Sequence, residues 1–367
     1  MELKILNSDL KLQGVLTPTS LVWSRKMYEP GEFKLEIPYS EKNFQLLDSE
    51  MLLVHGINIG IPDPGTLKAT EKADDSGTVK DTIKLSGVTG LDMLNWRVAI
   101  PPSGSAYDTI SSSPVETVMK HYVDSHLINP TNTDRALSNL IIGTDKVLGD
   151  SINYYMRYEK IGEELSNIAQ SYGLRHDIYL DTTNKTLVYD VFEGTDHSAE
   201  QSENNRVIFS RKLENILEQG YTKSSKNYAN HAIVGGSGTG TSRIIQEVGT
   251  ETGFNRREVF VSDSSSSLED LTQTGNEAIE KYKKTESIPA KIFNKKNAEY
   301  GVDWDLGDKV TVISEKYGKT LHLRVTEVTE NYGSKGLELD VTFGDPIPTI
   351  LDALKSKFQE YESLKNV

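Results

Sequence analysis

Ser20-Leu-Val-Trp-Ser-Arg-Lys-Met-Tyr-Glu-Pro-Gly-Glu-Phe-Lys-Leu-Glu-Ile-Pro38 holds two short runs of strand composition, Ser20–Trp23 and Glu32–Ile37. The turn signal Pro30-Gly31 separates them and Pro38 closes the second. The same grammar extends outward on both sides, with strand-like runs at Glu2–Ile5, Met51–Ile61 and Thr82–Val88 and breaks at Pro18, Pro62 and Pro64. Residues 1–96 are therefore expected to form one compact β domain. Within it, the polar stretch Thr66–Lys80 contains Ala-Asp-Asp-Ser-Gly and reads as the exposed turn of a hairpin.

Residues 97–205 change character and predict an α+β domain. Ser113-Pro114-Val115-Glu116 has the composition of a helix start, with Ser113 as cap, Pro114 in the first turn and Glu116 completing a capping box. Val115, Val118, Met119 and Tyr122 then share a face. A second helix near Tyr158–Tyr172 carries Ile161, Leu165, Ile168, Ala169 and Tyr172 as a stripe and stops at Gly173. Beyond it, Leu174–Leu180 and Thr186–Phe192 read as a hairpin across Asp181-Thr-Thr-Asn184.

From residue 206 to 346 strands return, with a helical insertion near 268–284 for which Ser267 and Asp270 form a cap pair. After Pro346 and Pro348, Leu351, Leu354, Phe358, Tyr361 and Leu364 recur at spacings of three and four. They predict an amphipathic C-terminal helix over 347–367 that needs a surface to pack against.

Composition narrows the chemistry. With no cysteine in 367 residues, disulfides, thiolate metal sites and a cysteine nucleophile are absent. The start shows no signal-like apolar core, and no stretch reaches the ~18 apolar residues of a membrane span. The formal net charge of −14, with no basic block to offset it, disfavours tight binding to nucleic acid.

Local motifs add little catalytic promise. Gly236-Ser-Gly-Thr-Gly240 lies between two strand-like runs, whereas a phosphate loop must lead from strand into helix, so a hairpin tip is expected. His55, His121, His126, His176, His197, His231 and His322 show no metal-ligand spacing, and His121 and His126 fall on different faces of an α-helix. The carboxylates Asp303 and Asp305, or Glu193 and Asp196, are candidate pairs for glycosidic hydrolysis, while Gly307 and the run Lys309–Ile313 favour their reading as turn residues before a strand. No Gly-x-Ser-x-Gly elbow occurs. No catalytic, cofactor-binding or metal-binding residue is assigned.

Several phrases in the last β region occur together: Asn205-Arg-Val-Ile-Phe-Ser-Arg211, Asn227-Tyr-Ala-Asn-His-Ala-Ile-Val-Gly-Gly236, Asn255-Arg-Arg-Glu-Val-Phe260, Tyr300-Gly-Val-Asp-Trp-Asp-Leu-Gly-Asp-Lys-Val-Thr311, Arg324-Val-Thr-Glu-Val-Thr329 and Asp340-Val-Thr-Phe-Gly344. With the Ser20–Pro38 stretch, their order resembles that of siphophage and prophage tail-hub proteins over nearly the whole chain. The resemblance implies a β-rich α+β multidomain fold, in which two barrel-like β domains of phage baseplate-hub type flank the α+β domain. It also implies a structural, non-enzymatic protein of the virion tail, assembled in the bacterial cytoplasm. The expected form is a homotrimeric hub at the tail tip that adapts a sixfold tube to threefold distal parts. Its expected partners are tail-tube, distal-tail, tape-measure or tip proteins, with DNA in transit only and no stable membrane binding. The competing readings are a tail-associated cell-wall hydrolase and a carbohydrate-binding receptor module. Larger relatives carry a hydrolase or receptor-binding extension beyond the hub, which this sequence is expected to lack.

Overall fold

The computed structural model describes residues 1–47, 51–63, 67–73, 79–294 and 298–345. The expected helix over 347–367 and the tip of the hairpin at 74–78 lie outside them. The chain divides into two compact units, Met1–Gln219 with Pro289–Phe343, and Gly220–Ile288 with residues 344–345.

The first unit opens with β1 (Leu3–Leu6), β2 (Leu12–Leu16), β3 (Ser20–Lys26), β4 (Glu32–Pro38), a short helix α1 (Glu41–Leu47), β5 (Leu52–His55), β6 (Asn58–Pro62), β7 (Lys68–Ala73) and β8 (Val79–Thr89). Alternation decides the facing. In β4, Phe33, Leu35 and Ile37 are buried while Glu32 and Lys34 are exposed, the two-residue period of a half-buried strand. Leu3, Ile5, Leu16, Leu21, Phe33 and Leu53 meet around Trp23, which is fully buried and stacks on Phe33 with centroids 5.2 Å apart. Hydrogen bonds join the strands in the order β2-β1-β5-β6-β8-β4-β3, with β7 on the remaining stretch of β8.

Gly31 makes this packing possible. A Cβ there would lie 1.9 Å from the Ser24 carbonyl oxygen, and its backbone is clamped to Thr89 by N–H donation to Oγ1 (2.9 Å) and acceptance from the Thr89 N–H (2.9 Å). Gly31→Ala forces β3 from β4 and should destabilise the chain by about 1–3 kcal/mol, read as a lowered urea midpoint with an unchanged slope.

The middle of this unit contains β9 (Asp108–Pro114), α2 (Val115–Val123), β10 (Leu140–Ile142), β11 (Ser151–Met156), α3 (Ile161–Tyr172), β12 (Arg175–Asp181) and β13 (Thr186–Phe192). α3 starts three residues later than the periodicity predicts and ends on Gly173 at φ +65°, where the Leu174 N–H returns to the Ala169 carbonyl. β12 and β13 pair from Arg175↔Phe192 to Asp181↔Thr186, and β10 adds a parallel strand to β13. The capping box expected at α2 does not form. Ser113 belongs to β9, paired with Ile152, and its hydroxyl donates to the Ser111 carbonyl; Glu116 turns into the core.

The remaining strands of the first unit are β14 (Ile208–Ser210) and β15 (Ile216–Gln219), followed by β20 (Thr285–Ile292), whose residues up to Ile288 belong to the second unit, β21 (Lys309–Ser314), β22 (Lys319–Gly333) and β23 (Gly336–Gly344). Their order is β15-β20-β23-β22-β21-β14. Phe209 anchors their core, edge-on to Trp304 at 5.4 Å and 5.0 Å from Phe343. β22 is shared: Lys319–Arg324 pairs with β21, and the part from Val325 onward pairs with β23 on one side and with β3 on the other.

Neither series of strands closes into a barrel among the described residues, which corrects the barrel-like expectation. The edge of β3 that closure onto β2 requires is already taken by β22, from Leu21↔Tyr332 to Lys26↔Glu327.

In the second unit, β17 (His231–Gly235) lies between antiparallel β18 (Ile245–Val248) and parallel β19 (Glu258–Ser262), and β16 (Thr222–Ser224) pairs with the start of β20. Helix α4 (Leu268–Lys281) lays Leu271 and Ala278 on Ala232 and Val234. Ser267 Oγ accepts the Asp270 N–H at its start (3.4 Å), while the Asp270 carboxylate accepts from Ser265 Oγ (2.7 Å).

Candidate functional sites

Three clusters of buried and half-buried polar side chains hold the first unit, and all arise where a charged residue occupies an inward position. In the first, Arg25 of β3 donates from Nη1 to Asp305 Oδ1 (2.9 Å) and to the Tyr300 hydroxyl (2.8 Å), with Nη2 3.9 Å from Asp177 Oδ2. Arg175 of β12 reaches the other oxygen of Asp305 (3.3 Å). One carboxylate is thus shared by two guanidinium groups. Burial works against the Arg25 charge, but Tyr300, Asp305 and Asp177 outweigh it and the group titrates above its ordinary value. Burial also pushes Asp305 up, yet Arg25 and Arg175 hold it below the usual carboxylate range, whereas for Asp177 burial wins and raises it. Nearby, Glu330 of β22 accepts from His55 Nε2 and from the Tyr332 hydroxyl, both at 2.8 Å.

The second cluster surrounds Lys120 of α2. Its ammonium group donates to Glu116 and Asp190 (2.7 Å each) and to the carbonyls of Gly143 (3.0 Å) and Thr144 (2.8 Å). Lys146 adds a second cation to Asp190 at 2.8 Å, and the other oxygen of Glu116 accepts the N–H groups of Lys146 and Leu148. Both oxygens of Glu116 and one of Asp190 thus meet donors that offset the loss of water.

The third joins two histidines assigned to different helix faces. His121 Nε2 lies 3.1 Å from Asp108 Oδ1 and His126 Nε2 2.8 Å from Oδ2. Asp124–Ile128 continues α2 as one π-helical turn, which holds more residues per turn and swings His126 back towards His121. Five residues of pure α-helix would separate them by roughly 140°. Among the described residues, no group of three or more His, Asp or Glu side chains is placed to hold a metal ion, and no helix is long and apolar enough to cross a membrane.

Three of the four carboxylates considered for hydrolysis are engaged elsewhere. Asp305 lies in the first cluster, held ionised, opposite to the raised pKa of a general acid. Asp303 accepts the Glu299 N–H (2.8 Å), and Asp196 accepts the Ser198 N–H (2.8 Å) and faces Lys309 at 3.5 Å. Glu193 is exposed, and its carbonyl receives Arg324 Nη1 (2.9 Å). The glycine-rich segment passes from β17 through a single 3-10 turn at Gly240–Ser242 into β18, without an α-helix. Arg243 donates into it, to the carbonyls of Gly235 and Gly236, so the loop offers acceptors where an anion needs donors.

The family model described as Siphovirus ReqiPepy6 Gp37-like protein matches residues 2–345. The chain belongs to that family. No curated protein matches it. Among solved structures, it is similar to the 43 kDa tail protein of prophage MuSo2 from Shewanella oneidensis, at TM-score 0.59 and 15% identity, covering 94% of this chain and 98% of that one. A tail protein from Neisseria meningitidis MC58 gives TM-score 0.58 and 14% identity, over 94% and 96% of the two chains. Prophage tail protein gp18 from Listeria monocytogenes EGD-e gives 0.53 and 13% over the full length of both. At these identities the likeness is one of fold, and with the family it sets the chain among phage tail proteins.

Sequence reasoning named only Asp305 and Glu116 of the first two clusters' charged members, each in another role, and missed the rest. A usable signal was present: Asp190 interrupts Leu187-Val-Tyr-Asp-Val-Phe192, and a carboxylate inside an apolar strand demands a buried partner. His176 belongs to the same class. Its ring is enclosed, with Nε2 2.9 Å from the Tyr28 carbonyl and Nδ1 3.3 Å from the Tyr189 hydroxyl, and burial lowers its pKa to about 4. The unfolded chain binds this proton first, so stability is complete above the unfolded value and falls as pH drops from about 6.5 towards 4. The loss should approach about 3 kcal/mol in a pH series of denaturation curves, and His176→Gln should remove that slope.

Proposed function

We propose that the chain is a structural, non-enzymatic hub of the tail tip, three copies forming a collar that adapts a sixfold tube to threefold distal parts and lets DNA pass. Regions 1–96 and 206–346 supply two equivalent β faces per copy, flanking 97–205, and the segment 347–367 docks on a neighbouring subunit or the next tail protein. The observation that carries this reading is the presence in one unit of two strand series, each wrapped on its own aromatic-anchored core and joined edge to edge through β22 and β3. Two such faces in each of three copies give six positions around one axis. The surplus of negative charge suits a bore through which a polyanion moves without trapping.

Electron microscopy of the full chain, alone and with tail tube, tests it. Three-copy rings with six similar lobes are expected; a collar of any other copy number, or a strongly basic bore, refutes the reading. A cleared band on a cell-wall zymogram would overturn the non-enzymatic part, and a truncation lacking 351–367 that assembles normally would remove the role given to that segment.

A further inference from the structure

Residues 97–100 and 158–161 run side by side. Ala99 N–H donates to the Glu159 carbonyl (2.9 Å), Tyr158 N–H to the Ala99 carbonyl (2.7 Å) and Ile161 N–H to the Arg97 carbonyl (3.2 Å), with Val98 opposite Lys160 in an antiparallel bridge. Alternation sends Ala99 into the core and leaves Val98 and Ile100 outside, and this register brings Tyr158 beside Ile100. Trp96 extends the exposed face. Trp96 and Ile100 are each 44% exposed and Tyr158 is 60% exposed.

Two further features make this face unusual. Tyr158 is held at φ +69°, a left-handed conformation that disfavours a bulky side chain, yet the ring gains little burial in return. Around it stand Arg97, Arg135 and Arg157, whose guanidinium groups have no carboxylate within 4.0 Å among the described residues, in a chain of net charge −14; the Glu159 carboxylate accepts only the backbone N–H of Arg157. Arg135 Nη2 donates to the Val98 carbonyl (2.7 Å) and Arg97 Nε to the Arg135 carbonyl (2.8 Å), so both guanidinium groups are fixed by backbone. Arg157 lies over the rings of Tyr158 and Tyr107, at 5.2 and 5.9 Å. Burial, then the neighbouring Arg97, lowers the pKa of Arg135, as expected where two cations lie close together.

We propose that this face docks onto an acidic surface of a second copy of the chain, in a head-to-tail contact; the inference rests on the collar reading above. Trp, Tyr and Arg around exposed aliphatic side chains form the composition of an interface hot spot. Charge chooses the occupant, because three unpaired guanidinium groups complement a body that is acidic overall. It also chooses the symmetry. A twofold contact of the face with itself sets guanidinium against guanidinium, whereas a contact with a different surface is heterologous and, where the rotation closes, makes a ring.

Sedimentation velocity of the full chain across a concentration series, at low and high salt, tests this. Self-association should weaken with salt. Arg157→Glu and Ile100→Ser should each weaken it about tenfold or more. Tyr158→Gly separates contact from folding: glycine accepts the positive φ, so the melting temperature should hold or rise while association falls. Variants that associate as the parent does, or a parent that stays monomeric, overturn the interface. Three-copy rings that persist in all variants refute this face and leave the hub standing, whereas association lost in the variants but never three-membered in the parent keeps the face and refutes the trimer.

Discussion

Arg25→Ala is expected to destabilise the first unit by about 3 kcal/mol, the low end of the cost of removing one partner from a buried pair, because Asp177 and Asp305 are only half-buried. Asp305 keeps one partner in Arg175, but Asp177 sits deeper, and its pKa is raised by burial even with Arg25 in place. Chemical denaturation followed by tryptophan fluorescence measures the effect, since Trp23 lies two residues away in β3. Arg25→Lys should recover only part of it, because a single ammonium group cannot span Tyr300 and two carboxylates as the planar fork does. The pH dependence follows from Asp305. Its folded pKa is depressed, so its contribution is complete above the unfolded value of about 4 and is lost as pH falls through the folded one. Arg25→Ala should flatten that acid limb. A loss below 1 kcal/mol would show that the junction is solvated and does not fasten β3 to β12.

Lys120→Met should be of similar size, about 3–5 kcal/mol, for a different reason. Methionine fills much of the volume, so packing survives, but Glu116, fully buried, keeps Lys146 only at 3.4 Å and Asp190 loses its 2.7 Å donor. The carbonyls of Gly143 and Thr144 also lose their shared donor. Adding Glu116→Gln and Asp190→Asn to Lys120→Met should recover a good part of the loss, because neutral amides tolerate the site without a cation. If the triple variant is no more stable than the single one, packing around the lysine stem, and not charge, holds the cluster together. The same denaturation curves decide it.

What the sequence discloses and what it hides follow a physical line. Periods are local: the alternation in Glu32–Ile37, the stripe of α3 and the stop at Gly173 can be read because each depends on a few neighbouring residues. Facing across the fold is not local. Nothing in Ser20–Lys26 says that its outer edge is taken by residues 327–332, so the residues give a compact β domain and leave the barrel-like form to the resemblance alone. The α2 start failed for a related reason, since Ser113 and Glu116 satisfy a capping pattern that pairing with β11 and the demand of buried Lys120 override. His121 and His126 meet only because one turn is π-helical, a departure that a strict α-helical period cannot signal. The junction was the least legible, because Arg25, Arg175, Asp177 and Asp305 are scattered through the sequence and converge only when three regions fold together.

The fifteen residues of β22 have a mechanical meaning. A single covalent ribbon is stitched by backbone hydrogen bonds to strands of both series, so torque entering one is delivered to the other through peptide planes and never across a slipping side-chain seam. The two series of strands within a copy therefore turn as one piece, and a load taken up by either is carried by both.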